Sequence, residues 1–146
     1  MQGRTKKTII FSILGLAVMV VLLGMYLFNK GPRSVKEENG IKISASELYQ
    51  LFSKDTLAAN KKFTDKILEV SGIVIKINQN QQNEAIILLG TNDAGAYINC
   101  TMEGPADRIR EKDAITIKGI CTGIGMGDSS MGIMGDVYLM RSYLTK

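Results

Sequence analysis

Cys100 and Cys121 are the only cysteines in 146 residues, and each sits inside a stretch that alternates apolar and polar side chains. In an exported domain such a pair can close a disulfide, worth roughly 3 kcal/mol for a loop of this size. In a cytoplasmic domain the same residues would remain two buried thiols. A redox-active dithiol is not indicated, because the chain contains no C-x-x-C. The other sulfur-rich stretch is residues 123–135, GIGMGDSSMGIMG, in which Met126, Met131 and Met134 are spaced among glycines. Thioethers suit Cu(I), and Met-rich loops equally serve as adaptable apolar contact surfaces. The glycines do not form a phosphate cradle, since no lysine followed by serine or threonine closes the run. The plain reading is a hairpin loop between two strands.

Histidine is absent. This removes the usual general base near neutral pH and the commonest metal and haem ligand. Serines and aspartates are present, but no nucleophile elbow or paired-carboxylate spacing emerges. The expectation is a protein that is not an enzyme, with no cofactor and no metal. Charge is placed unevenly. Arg4, Lys6, Lys7, Lys30, Arg33 and Lys36 precede the first acidic residue, Glu37, which leaves twelve basic and all 14 acidic residues beyond them, a net charge of −2. The part that folds is therefore mildly acidic and lacks the footprint of a general nucleic-acid binder.

The elements that would position these residues are legible from periodicity. Residues 67–74, ILEVSGIV, and 113–123, DAITIKGICTG, both alternate and then meet a glycine. Two strands bent at Gly72 and Gly119 suit a small closed barrel, where a strand turns a corner that a Cβ resists. Residues 85–89 and 97–102 read as further strands joined by GTNDAG, which has hairpin chemistry. Residues 136–144 read as the last strand, and 105–110 as one or two helical turns. Ahead of the strands, residues 43–62 read as an amphipathic helix. Ser44 and Glu47 make its capping box, and a break is expected near Asp55. Five strands with a helical turn between the third and fourth give the connectivity of an oligonucleotide/oligosaccharide-binding (OB) barrel, an all-β fold with a flanking helix. Its ligand face would lie on strands two and three and the loops beside them, with Tyr97, Asn99, Met126, Met131 and Met134 as candidate contacts. For nucleic acid, such a face needs aromatics and cations together. Tyr97 is the only aromatic on those two strands, so nucleic acid is the second choice.

Residues 8–28, TIIFSILGLAVMVVLLGMYLF, carry no charge. As a helix they span roughly 30 Å, the hydrocarbon thickness of a bilayer. A cleaved signal would need a shorter apolar region ending in small residues, so an uncleaved anchor is expected. The division is then a short cytoplasmic tail at 1–7, a transmembrane anchor at 8–28, a linker at 29–40 rich in glycine, proline and mixed charge, and an OB domain with its N-terminal helix at 41–146. Basic residues flank the span almost equally. The N-terminus is placed inside because a first apolar segment near the start acts as a signal anchor.

The runs ANKKFTDKILEVSGIV at 59–74, INCTM at 98–102, ITIKGICTG at 115–123 and GDVYL at 135–139 resemble the tRNA-anticodon-binding-like OB-fold family of bacterial envelope proteins. The resemblance covers roughly residues 44–144. Lys112 stands where the family commonly has glycine, Ser142 where a cysteine often ends the last strand, and the loop before Asp136 is long. The resemblance places cysteines at 100 and 121. Together with the span, it implies a Cys100–Cys121 disulfide and a domain held on the periplasmic side of a bacterial inner membrane. The expected function is a single-pass, membrane-anchored binding module for a protein or small envelope ligand.

Overall fold

The computed structural model describes residues 2–29, 34–128, 130–131 and 134–145, with side chains in the first helix described over 15–28. The elements run α1 (Gln2–Asn29), β1 (Ile41–Ser44), α2 (Ala45–Lys54), α3 (Thr56–Phe63), β2 (Ile67–Gln79), β3 (Ala85–Gly90), β4 (Tyr97–Met102), β5 (Ala114–Ile124) and β6 (Val137–Leu144). Contacts divide the chain into two units, Met1–Arg33 and Ser34–Lys146.

In the first unit, the large apolar side chains described on α1 are all exposed, from Leu16 to Phe28. Among the described residues no helix is long and apolar enough to cross a membrane. The backbone of α1 runs 28 residues, about 42 Å of helix, while residues 8–14 of the uncharged run at 8–28 lie outside the residues whose side chains are described.

In the second unit, β2 through β6 form the barrel. The sheet order is β1-β2-β3-β4-β6-β5, and β2 also pairs with β5, which closes the cylinder. Alternation decides which side chains face in. Leu68, Val70, Val74, Ile87, Leu89, Ile98, Ile117, Val137 and Leu139 are fully buried and fill the interior, each worth roughly 1.5–3 kcal/mol of apolar transfer. Helices α2 and α3 add Leu48, Tyr49, Phe52, Ala59 and Phe63 to the same core, with the Phe52 and Phe63 rings 6.1 Å apart. Two caps explain why two helices form. The Ser44 hydroxyl accepts the Glu47 N–H at 3.2 Å, and the Asp55 carboxylate accepts the Ala58 N–H at 2.9 Å, ending one helix and starting the next.

The chain before Gly40 joins this unit earlier than a free linker would. Val35 is 1% exposed. Lys118 Nζ is 3.2 Å from the Glu69 carboxylate directly across the β2–β5 pair, and it donates to the Glu38 carbonyl at 3.0 Å.

Three expectations are corrected. The helix expected from residue 43 begins two residues later, because Ile41–Ser44 pairs in parallel with 68–71 of β2 and makes a sixth strand. Residues 105–110 form turns rather than helix, held by an Ile109 N–H to Ala106 carbonyl bond at 3.0 Å. Cys100 and Cys121 are free buried thiols, and no disulfide joins them. The register gives the reason: Cys100 of β4 and Cys121 of β5 both pair with Leu139, on opposite sides of β6. Two strand spacings of about 4.8 Å put their Cα atoms some 9–10 Å apart, beyond the reach of a disulfide. Burial pushes the thiol of Cys100 far up from its ordinary pKa and that of Cys121 up as well, so both are inert.

Backbone devices turn the strands. The β2–β3 register shifts between Val74 and Lys76, and β6 carries an extra residue against both its neighbours at Arg141, whose φ is 52°. Lys112, where the resemblance points to glycine, has φ 73°. That conformation lets its N–H reach the Val74 carbonyl at 2.8 Å, while the Asp113 carbonyl takes the Val74 N–H at 2.9 Å. Gly72 lies under α2, with Ala45 Cβ 3.1 Å from where its own Cβ would be. At Gly119 a Cβ would collide with Ser142 Oγ and come within 3.2 Å of the Met140 carbonyl. Ser142 is fully buried. Gly119→Ala is expected to cost about 1–3 kcal/mol in denaturant unfolding, and adding Ser142→Ala should recover part of the loss. An unchanged midpoint for the single variant would show that β5 and β6 do not approach this closely.

Candidate ligand-binding face

Outside the barrel, the same alternation that buries Ile87, Leu89, Ile98 and Cys100 turns Ile86, Leu88, Tyr97, Asn99 and Thr101 outward, all half-buried. Register aligns them into rows. Lys76 of β2, Leu88 of β3, Asn99 of β4 and Tyr138 of β6 are successive partners across four strands. One row therefore offers a cation, an apolar side chain, an amide and an aromatic ring. Tyr97 lies at the end of β4 beside Gly90, and Tyr138 is 39% exposed.

The loop between β5 and β6 closes onto this face at its base. Gly125 N–H donates to the Asp136 carbonyl at 2.8 Å. A Cβ on Gly125 would lie 2.7 Å from Tyr138 Cε2, and one on Gly135 would strike the Gly125 carbonyl. Both glycines are required by close approach, and the loop's backbone rests on the Tyr138 ring. Farther out, Asp128 accepts the Ser130 N–H at 2.9 Å and the Met131 N–H at 3.3 Å. The Ser130 hydroxyl, the larger influence, and these N–H groups hold its carboxyl below the usual range. Met126, Met131 and Met134 are all exposed. Among the described residues no group of three or more Cys, Asp or Glu side chains is placed to hold a metal ion.

Asp136 ties the loop, β4 and the core together. Its carboxylate accepts the Tyr97 N–H at 3.2 Å. Burial raises its pKa, outweighing the lowering effects of the Tyr97 N–H and the Asn99 amide. Tyr49, buried in the core, has its own pKa raised by burial and then by Asp93 and Asp136. Two carboxylates thus border the face at this end.

The family follows from the sequence match to this barrel. The chain belongs to the tRNA_anti-like family, whose model matches residues 1–130. The tRNA_anti-like match stops inside the β5–β6 loop, so Asp136, Tyr138 and all of β6 lie beyond it. Among solved structures, the chain is similar to a protein assigned as an aspartyl-tRNA synthetase from Leishmania major Friedlin. The identity is 11% and the TM-score 0.45, over 79% of this chain and 22% of that one. No curated protein matches the sequence.

Of the candidate residues, Tyr97 and Asn99 share the outer face of β4, and the three methionines belong to the loop whose base packs on it. Gly72 and Gly119 lie within β2 and β5, and the two cysteines face the interior. Tyr138 and Asp136 join the face only through the pairing of β6 with β4. Alternation in Val137, Tyr138 and Leu139 already turns the tyrosine outward, but only topology places β6 beside β4.

The raised pKa of Asp136 has a defined sign. The folded state keeps this proton longer than the unfolded chain, so its contribution is fully present below the ordinary carboxylate value and is lost as pH rises through the raised one. Urea unfolding from pH 3 to 8 should show the stability of the native chain falling relative to Asp136→Asn from about pH 4 upward, then levelling off. A difference that grows the other way would mean the carboxylate is stabilised by its bonds rather than penalised by burial.

Proposed function

We propose that the chain is a membrane-anchored, non-enzymatic binding module that presents the β3–β4–β6 face to a protein or small envelope ligand outside the cytoplasm. The observation that carries this reading is the row Leu88, Asn99, Tyr138 beneath the Gly125–Gly135 loop base. It supplies an apolar contact, an amide able to donate and accept, and an aromatic ring on a rigid sheet, bordered by a loop that exposes three thioethers. Such a surface suits an extended peptide or a compact amphipathic molecule.

Anchoring is supported by the uncharged run at 8–28 and by the exposed apolar side chains of α1. We place the N-terminus in the cytoplasm and the barrel in the periplasm of a bacterial inner membrane, on the position of that run near the start of the chain. The full chain should stay with the membrane through alkaline carbonate extraction, and external protease should degrade the barrel in spheroplasts. Release by carbonate, or protection of the barrel until lysis, would remove the anchor or reverse its orientation.

A second reading is single-stranded nucleic-acid binding, favoured by two tyrosines on one face of an OB-type barrel. Charge opposes it, because Lys76 is the cation in the central row while Asp93 and Asp136 border the face. The two separate in one pair of measurements on the full chain. Peptides selected by display should lose about tenfold in affinity on Tyr138→Ala, while a labelled single-stranded oligonucleotide should show no saturable binding at low salt. Oligonucleotide binding that falls steeply with salt would select the second reading.

A further inference from the structure

We propose that a separate cleft, at the C-terminal ends of β4 and β6, is an anion site for a phosphate group carried on an apolar body. The cleft encloses about 610 Å³, and its lining includes Lys36, Pro105, Arg108, Lys118, Tyr143 and Leu144. Tyr143 follows Tyr138 by five residues on β6, about 15 Å along the strand, so this is not the face described above.

Tyr143 makes a fixed wall. Its ring lies against the backbone at Gly104, where a Cβ would sit 2.9 Å from Tyr143 Cδ1. Burial and then Glu103 raise the pKa of its hydroxyl, and Glu103 receives the Arg141 Nε–H at 2.9 Å. Lys36 Nζ stands 4.8 Å from the ring centroid, a cation–π contact that places the ammonium on the wall. Lys118 is held by Glu69 and by the Glu38 carbonyl.

Charge in the cleft runs against that of the domain. The residues from Glu37 onward carry a net −2, yet the cleft gathers Lys36, Arg108 and Lys118 from three separate segments against one acidic lining residue, Asp107. Glu69 and Glu103 are already committed to Lys118 and Arg141. Among the described residues Arg108 is in no ion pair. Its planar fork and the Lys36 ammonium are the groups free to take a tetrahedral oxyanion. Pro105, Leu144 and the Tyr143 ring offer apolar surface to whatever carries it.

The phosphate has two possible sources, an anionic lipid headgroup or a soluble phosphate ester. Lys36 follows Phe28 by eight residues, so at most about 28 Å of extended chain separates the cleft from the end of the apolar run. The lipid source rests on the membrane-anchor reading, and the soluble source does not.

The test is calorimetric titration of the full chain in dodecyl maltoside micelles at low salt. One arm uses phenyl phosphate, a soluble ester with an apolar body, and the other uses dihexanoylphosphatidylglycerol below its micelle concentration. Saturable binding is expected in at least one arm, with Arg108→Gln and Lys36→Gln each weakening it about tenfold. Arg110→Gln, an exposed cation that does not line the cleft, should leave affinity unchanged. Binding in the lipid arm alone assigns a headgroup, and binding in the ester arm alone assigns a soluble ligand. Failure of both arms at millimolar probe overturns the proposal. So does equal weakening by Arg110→Gln, or displacement by acetate as effective as by phosphate. Loss of peptide binding in Tyr138→Ala leaves these outcomes untouched, so the two sites fail independently.

Discussion

Closure of the barrel depends on one strand serving two partners. β2 pairs with β5 over 67–73 and with β3 over 74–79, so it must leave one neighbour and turn to the other without stranding its polar backbone groups. The register shift between Val74 and Lys76 makes that turn. Val74 bridges the gap through its bonds to Lys112 and Asp113, which explains why Lys112 accepts a left-handed conformation. The short parallel strand β1 then occupies the edge that β3 leaves open along 68–71.

A cylinder closed this way has two ends with different chemistry, and β6 links them. Near its start, Asp136 and Tyr138 meet the beginning of β4 and the base of the glycine-rich loop. Near its end, Tyr143 meets Gly104, Glu103 and Lys36. The extra residue at Arg141 lies between the two regions and sends its guanidinium to Glu103. Carboxylates border the first end and cations line the second.

Buried sulfur belongs to the core. Cys100 and Cys121 flank Leu139 across three adjacent strands, and their thiols pack as small apolar groups. Ser142 is buried by the same packing, and its hydroxyl reaches the Leu139 carbonyl at 3.4 Å. The three positions are set by strand register, which is why cysteines that read as partners in one dimension are separated in three.

Local pattern by itself determined most of the elements. Alternation located β2, β4 and β5, a short apolar run located β3, the capping box at Ser44 and the expected break near Asp55 located the helical region, and the uncharged run at 8–28 marked the apolar segment, because each signal is carried by residues close together in the chain. Tertiary structure decided everything that depends on which strands become neighbours. It set β6 beside β4, moved Cys100 and Cys121 apart, recruited Tyr138 to the outer row, and drew Lys36, Arg108 and Lys118 into one cleft. Register between distant strands is fixed by how the whole barrel closes and packs, and no short window of sequence contains that information.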